Sequence, residues 1–124
     1  MSLVTLISFD IDGTLEVGEP PGIVPVALVR IAKRLGFVIG SCSDRPISHQ
    51  QDMWTGLGID ADFTVLKHRL EELRARFPSA LCYHVGDTET DERFALAAGF
   101  RFLSALAPAP QAWRTELFGE HGTC

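Results

Sequence analysis

Segments typical of strands alternate with segments typical of helices along this chain of 124 residues. Each strand-like segment is a short apolar run that ends at a turn or at a segment with helical spacing. Parallel strands need helical crossovers, so this alternation predicts an open, doubly wound, Rossmann-like α/β sheet of about five parallel strands in a three-layer α/β/α fold. The five strand-like runs are residues 3–9, 37–42, 63–65, 80–85 and 100–103.

Prolines and glycines mark the expected helix ends. Pro25 is placed to open the first helix, and Gly58 to close the second. The run from Ser43 to Pro46 reads as a helix cap followed by a proline in the first helical position. A later helix is expected to begin at Asp91. The segment 105–110 resembles a linker before a last short helix.

Length and composition indicate one globular domain over residues 1–124. The apolar fraction of 46% and the charged fraction of 22% are ordinary for a soluble protein. A net charge of −5 gives no electrostatic support for nucleic-acid binding. The chain shows no signal peptide and no bilayer-length apolar run, and Cys42, Cys82 and Cys124 lack metal-type spacing, so we expect a cytoplasmic protein.

Two carboxylates stand directly after the first strand-like run, in Asp10-Ile11-Asp12-Gly13-Thr14. If the backbone is still extended there, the side chains of Asp10 and Asp12 lean toward one face. Such close like charges raise each other's pKa unless a cation joins them. This pair therefore indicates chemistry on a metal ion, a proton or a phosphorus atom.

Other polar residues follow the remaining strands. Ser43 follows the second strand, Lys67 the third, and Asp87 and Asp91 the fourth. In open α/β sheets the ligand binds beyond the carboxyl ends of the strands, so these residues are expected to converge. Oxygen ligands without a His or Cys pattern favour Mg²⁺, and a lysine suits a phosphoryl oxygen. The four histidines are expected at the surface or in packing: His49, His68, His84 and His121.

Taken together, these motifs resemble those of the haloacid dehalogenase-like (HAD) phosphohydrolase superfamily. The resemblance rests on residues 10–14, Ser43-Asp44-Arg45, Lys67 and residues 86–91, in the order that the family uses. It covers about residues 3–103. The first and last motifs are specific when they occur together, whereas the serine and the lysine alone are weak signals.

The resemblance implies a mechanism. Asp10 would be the nucleophile that becomes an aspartyl-phosphate, and Asp12 the general acid for the leaving alcohol and then the base for water. Mg²⁺ would bind the Asp10 carboxylate, the Asp12 backbone carbonyl and Asp87, with Asp91 binding directly or through water.

The same resemblance implies a phosphate-binding set. The candidate substrate contacts are Gly13, Thr14, Ser43, Arg45 and Lys67, with N–H groups of the loop near Gly13 among the donors. Ser41 is an alternative to Ser43, and Arg69 an alternative to Lys67. Arg45 has the alternative of an ion pair with Asp44 or with another nearby carboxylate.

Cap domains of this superfamily are inserted after the first motif or between the second and third. The segments 15–24 and 44–66 are too short for one, so we expect a capless domain with at most a small flap at residues 15–21. The substrate itself, if large, or a neighbouring subunit would then cover the site. Homo-oligomers are common among capless members, which makes a second copy of the chain a candidate partner.

The leading hypothesis is a Mg²⁺-dependent phosphomonoester hydrolase whose partner is a phosphorylated substrate, small or macromolecular. Receiver domains of two-component signalling share the chain length, the acidic pocket and the lysine, but place the phosphorylated aspartate after the third strand. Here only Asp60 and Asp62 lie near that strand, at its start. A HAD-like protein that binds a partner and catalyses little is the third alternative.

Overall fold

The structure, a computed structural model, describes residues 4–119. Leu3, His121 and Cys124 lie outside the described residues. The strands are β1 (Thr5–Phe9), β2 (Val38–Ser43), β3 (Phe63–Leu66), β4 (Leu81–Gly86) and β5 (Arg101–Ser104). The helices are α1 (Val26–Arg34), α2 (Ile47–Leu57), α3 (Leu70–Arg76), α4 (Glu89–Ala97) and α5 (Ala109–Phe118). A short 3-10 turn, Lys67–Arg69, leads into α3.

The five strands form one parallel sheet in the order β3-β2-β1-β4-β5. This arrangement confirms the predicted doubly wound α/β fold. The chain moves outward from β1 to β3 and then crosses over to place β4 on the other side of β1. The carboxyl ends of β1 and β4 therefore flank the switch point at which such sheets bind ligands.

The strand order also distinguishes the first two hypotheses. Receiver domains have the flavodoxin-like order 2-1-3-4-5, in which the third strand lies beside the first. Here β4 occupies that place and β3 is at the edge. The receiver-like alternative is therefore wrong for this topology.

Apolar side chains alternate between the two faces of the sheet, as strand geometry requires. One face contributes Ile7, Phe9 and Val85 to a cluster with residues of α1, α2 and α5. The other face contributes Leu6 and Cys82 to a cluster with residues of α3 and α4. Both faces are thus covered, which gives the predicted three layers. Cys42 and Cys82 are buried free thiols.

Two helix starts differ from the sequence prediction. Ser43 is the last residue of β2, and Pro46 is the N-cap of α2 without a side-chain cap, so the predicted Ser43 cap is wrong. Helix α4 begins before Asp91, because Thr88 is its N-cap and forms a capping box with Asp91. The exchange of hydrogen bonds between these two residues places Asp91 in the first turn rather than at the helix start.

The segment between β1 and α1 is packed down against the body of the domain. Leu15 and Val24 are buried, and the Val24 N–H donates to the Thr14 carbonyl at 3.0 Å. The Val26 N–H at the start of α1 donates to the Glu16 carboxylate at 2.6 Å. Residues 4–119 therefore contain a hydrogen-bonded loop at the predicted flap position and no inserted cap domain.

Candidate active site

Three predicted carboxylates meet at the carboxyl ends of β1 and β4. Asp10 follows β1, Asp87 follows β4, and Asp91 lies in the first turn of α4. One oxygen from each carboxylate lies within 4.8 Å of the other two. Asp10 is 4% exposed and Asp91 is fully buried. Carboxylates that are this close together and this buried need a compensating cation, because both burial and like charge disfavour their ionised form.

Lys67 supplies part of that compensation. Its Nζ lies 3.6 Å from Asp10 Oδ2, 3.2 Å from Asp91 Oδ1 and 3.7 Å from Asp44 Oδ2. The side chain is buried, so Lys67 is not an ordinary solvated lysine. Arg69, its sequence alternative, forms an exposed ion pair with Glu72. The geometry therefore favours Lys67 as the cation of this cluster.

The two buried aspartates differ in their affinity for a proton. Burial, reinforced by the negative charge of Asp91, raises the pKa of Asp10 to about 8 despite the nearby Lys67. Burial alone would also raise the pKa of Asp91. Hydrogen bonds from His84 and Thr88, together with the charge of Lys67, outweigh burial and hold that pKa well below its usual range. Asp91 is therefore the stronger acid of the two, and a cation bound beside Asp10 would lower the pKa of Asp10.

Asp12 is partly exposed and stands apart from the acidic cluster. Arg45 donates to both of its oxygens, from Nη2 to Oδ1 at 2.6 Å and from Nε to Oδ2 at 3.2 Å. The Glu19 N–H donates to Oδ1 at 2.8 Å. The hydrogen bonds from Arg45 keep the pKa of Asp12 below its usual range. Of the roles considered for Arg45, the structure shows an ion pair with a nearby carboxylate, and the partner is Asp12 rather than Asp44.

The two candidate motif serines have different surroundings. The Ser41 hydroxyl donates to Gln50 Oε1 at 2.7 Å and accepts from Trp54 Nε1 at 2.9 Å. Ser41 is thus fully engaged with α2. Ser43 lies at the end of β2, and its hydroxyl accepts from the Arg45 N–H at 3.0 Å. Because the Ser43 hydroxyl still has its own proton to donate, Ser43 suits the motif position better.

The predicted donors near Gly13 are already used within the loop. The Gly13 N–H donates to the Pro20 carbonyl at 2.7 Å, and the Thr14 N–H donates to the Ile11 carbonyl at 3.1 Å. The Thr14 hydroxyl points at Asp87 Oδ1, 3.4 Å away. Hydrogen bonds of the loop take the N–H groups of Gly13 and Thr14 in this geometry, and contact of these two residues with a phosphoryl oxygen stays a prediction.

Two glycines instead make room for the acids. Gly13 has a φ of +75°, and a Cβ there would overlap the Asp87 carboxylate. A Cβ on Gly86 would overlap the side chain of Asp91. The backbone on both sides thus approaches the carboxylates as closely as only glycine permits.

This arrangement suits Mg²⁺. The cluster offers hard carboxylate oxygens, and glycines leave it the space that it needs. Asp91 is the most engaged of the three carboxylates, because Oδ1 contacts His84 and Lys67 while Oδ2 accepts from the N–H and the hydroxyl of Thr88. Asp10 and Asp87 are therefore the candidates for direct ligands, and Asp91 for contact through a water molecule.

His84 is the site residue that the sequence did not identify. It is fully buried on β4, with Nδ1 at 2.9 Å from Ser8 Oγ and Nε2 at 3.0 Å from Asp91 Oδ1. A histidine inside an apolar strand next to the Gly86-Asp87 motif was the available signal, since a buried polar group needs a partner. His49 and His68 are exposed, as predicted.

An open cavity of about 650 Å³ adjoins Asp12 on the side of α2. It is wide enough for a small organic group beyond the reacting centre. The residues that line it are Asp12, Val17, Glu19, Arg45, His49, Asp52 and Met53.

No family model matches the chain, and no curated protein matches it. Among solved structures, the chain is similar to the core domain of a putative phosphoglycolate phosphatase from Streptococcus pneumoniae TIGR4, with a TM-score of 0.60 and 19% identity. That match covers 85% of this chain and 82% of the other. A hypothetical protein from Pyrococcus horikoshii OT3 matches with a TM-score of 0.39 and 19% identity, over 91% of this chain and 45% of the other. The second similarity is too weak to support any conclusion.

The first match identifies the fold. Residues 4–119 share the fold of that core domain and contain no inserted cap domain, in agreement with the fold that the motif resemblance implies. At 19% identity the match does not transfer an activity. None of the helices in the described range has the length and hydrophobicity to cross a bilayer.

Proposed function

We propose that this chain is a Mg²⁺-dependent phosphomonoester hydrolase in which Asp10 is the nucleophile. The observation that carries the proposal is the arrangement around Asp10: Lys67 Nζ at 3.6 Å and two further carboxylates, Asp87 and Asp91, within ligand distance of one another. A phosphoryl group carries negative charge, so a site for it must combine a nucleophile with cations.

Asp10, Asp87 and the backbone carbonyl of Asp12 would hold the ion, with Asp91 in contact through water. When bound, Mg²⁺ neutralises charge on the phosphoryl oxygens and keeps Asp10 ionised. Lys67 supplies the positive charge of the protein itself at this site, since it contacts both Asp10 and Asp91. Its three N–H bonds allow it to hold Asp10 and also donate to a phosphoryl oxygen. The Ser43 hydroxyl is the second donor that we assign to the phosphoryl group.

The reaction has two steps. In the first, an Asp10 oxygen attacks phosphorus, the bond from phosphorus to the ester oxygen breaks, and the leaving oxygen takes a proton from Asp12. In the second, water attacks the phosphorus of aspartyl-phosphate, gives its proton to Asp12, and Asp10 is regenerated as inorganic phosphate leaves. The contacts from Arg45 favour the ionised Asp12 of the second step.

The cavity beside Asp12 is the place that we assign to the leaving group, because Asp12 would protonate its oxygen. Across residues 4–119 no cap domain covers this cavity. We therefore retain two proposals for its cover: a large phosphorylated substrate, or a second copy of the chain. Cytoplasmic localisation and the absence of a nucleic-acid partner remain predictions.

Hydrolysis of an aryl phosphate tests the activity. Purified protein should release the phenol in Mg²⁺, lose the activity in chelator and regain it when Mg²⁺ is restored. Asp10→Asn should abolish turnover while retaining the fold. Asp60→Asn is the matched control, because Asp60 is exposed and precedes β3, at the other edge of the sheet.

Absence of turnover in folded, Mg²⁺-loaded protein across a panel of phosphate esters would contradict the proposal. Binding of inorganic phosphate without turnover would instead support the alternative of a HAD-like binding protein. Equal activity of Asp10→Asn and Asp60→Asn would contradict the assignment of the nucleophile.

A further inference from the structure

We propose that His84 is a positioning residue, which fixes the Asp91 carboxylate so that Asp91 holds Lys67 against Asp10. The catalytic part of this inference rests on the proposed phosphatase function. His84 itself does not contact the nucleophile, so its effect would pass through two intervening side chains.

Strand register brings the first two members of the chain of contacts together. Ser8 on β1 and His84 on β4 are direct partners in the parallel pairing of these strands. Their side chains therefore share one face of the sheet, and Ser8 Oγ lies 2.9 Å from His84 Nδ1. Ser8, His84 and Asp91 all have zero exposed surface. Hydrogen bonds among buried polar groups of this kind fix side-chain orientation.

The contacts determine which ring nitrogen of His84 carries the hydrogen. His84 Nε2 lies 3.0 Å from Asp91 Oδ1, and an ionised carboxylate can only accept hydrogen bonds. Nε2 must therefore carry a hydrogen and donate it to Asp91. Nδ1 faces the Ser8 hydroxyl, which can donate to it.

Both oxygens of the Asp91 carboxylate have protein partners. Its Oδ1 contacts His84 and Lys67, and its Oδ2 accepts two hydrogen bonds from Thr88. A carboxylate fixed in this way limits the freedom of Lys67, a long side chain that would otherwise sample many rotamers. Lys67 then makes its 3.2 Å contact with Asp91 and its 3.6 Å contact with Asp10 in one side-chain conformation.

The competing interpretation is that His84 is only a polar residue satisfied within the core. Both interpretations predict that a substitution lowers stability. They differ in whether the donor to Asp91 matters for catalysis once stability is accounted for.

Two isosteric amides separate the interpretations. In His84→Gln the side-chain amide nitrogen reaches the place of Nε2 and can still donate to Asp91. In His84→Asn the amide reaches only the place of Nδ1, so the contact with Ser8 is retained and the donor to Asp91 is lost. Both variants should have similarly reduced Tm values.

For aryl phosphate hydrolysis, kcat/KM of His84→Asn should fall about 10- to 100-fold, the usual effect of removing an outer partner of a site, and that of His84→Gln should largely recover. The Mg²⁺ dissociation constant, measured by calorimetry, should change less than kcat/KM in both variants, because Asp10 and Asp87 stay in place. Equal kcat/KM values for the two variants at similar Tm would overturn the proposal.

The assignment of the hydrogen to Nε2 can be tested in the wild-type protein without an activity assay. Nitrogen-15 NMR of the imidazole should show that Nε2 bears a proton. That proton should exchange slowly with water, because it is buried and hydrogen-bonded to Asp91. An Nε2 without a proton would overturn the proposal, even if both variants fail to fold. Wild-type protein without phosphatase activity but with the expected NMR signature would contradict the proposed function while supporting the orientation of His84.

Discussion

Arg45 donates a hydrogen bond to each oxygen of Asp12, so the residue expected to protonate the leaving group is held as a carboxylate. A proton on Asp12 would break one of these contacts. In the proposed mechanism, these contacts favour the ionised Asp12 that would activate water over the protonated Asp12 that the leaving group would need.

Replacing Arg45 should change the pH dependence of this balance. Arg45 lowers the pKa of Asp12, so Arg45→Met should raise it and keep Asp12 protonated to higher pH. The alkaline limb of kcat for an alkyl phosphate should then move to higher pH, while an aryl phosphate, whose leaving group needs little protonation, responds less. Arg69→Met is the control, since Arg69 pairs with Glu72 at the surface. An unchanged alkaline limb would contradict the assigned role of Asp12.

Mg²⁺ should stabilise the folded protein. The ion would relieve repulsion among Asp10, Asp87 and Asp91, and only the folded chain brings them together. At a concentration about 100 times the dissociation constant, binding to the native state adds about 2.7 kcal/mol. The Tm in millimolar Mg²⁺ should exceed that in chelator for wild type and for Asp60→Asn, but hardly for Asp10→Asn. A Tm independent of Mg²⁺ in wild type would exclude the site.

The metal-free protein should lose stability as the pH rises. Burial raises the pKa of Asp10 from 3.8 to about 8, so the folded state binds a proton there that the unfolded state has released. The contribution of Asp10 is therefore fully present below about pH 4 and is lost as the pH approaches 8. Denaturation in chelator should show this loss in wild type and not in Asp10→Asn. Identical pH profiles for the two proteins would refute it.

Gly13 should be intolerant of a side chain. Its φ of +75° and the Asp87 carboxylate beside it leave no room for a Cβ. We expect Gly13→Ala to cost roughly 1–2 kcal/mol of stability from the backbone alone and to weaken Mg²⁺ binding by displacing Asp87. Gly56→Ala in α2 is the matched control, because a Cβ there meets nothing within 4 Å. That variant should be neutral or stabilised, by about 0.5–1 kcal/mol.

Substitution of Ser41 should lower stability, whereas substitution of Ser43 should impair activity. Ser41→Ala leaves Gln50 Oε1 without its donor and Trp54 Nε1 without its acceptor inside the core, so it should destabilise the protein by about 1–3 kcal/mol with little effect on KM. Ser43→Ala should keep the Tm close to that of wild type and raise KM for phosphate esters. The opposite pattern in thermal melts and kinetics would make Ser41 the motif residue.

The sequence predicted those features that depend on local pattern. Apolar runs that end at Asp10, Ser43 and Asp87 identified the strands, and the carboxyl ends of parallel strands necessarily share one edge of the sheet. This rule is enough to gather the carboxylates and Lys67 without knowledge of any contact.

The features that the sequence could not predict depend on register and on side-chain rotamers. The pairing of Ser8 with His84 requires β4 to lie beside β1 in one particular register. The choice of Asp12 over Asp44 by Arg45 depends on the path of the loop after β2. The N–H groups of Gly13 and Thr14 are used by a loop whose closure is a tertiary effect.

The closely packed loop between β1 and α1 has a kinetic consequence. Enzymes with a mobile lid often turn over at the rate at which the lid opens, and solvent viscosity then slows them. Here residues 15–24 are fastened by backbone hydrogen bonds and by the buried side chains of Leu15 and Val24. In the proposed reaction, opening of this loop is therefore not expected to limit turnover.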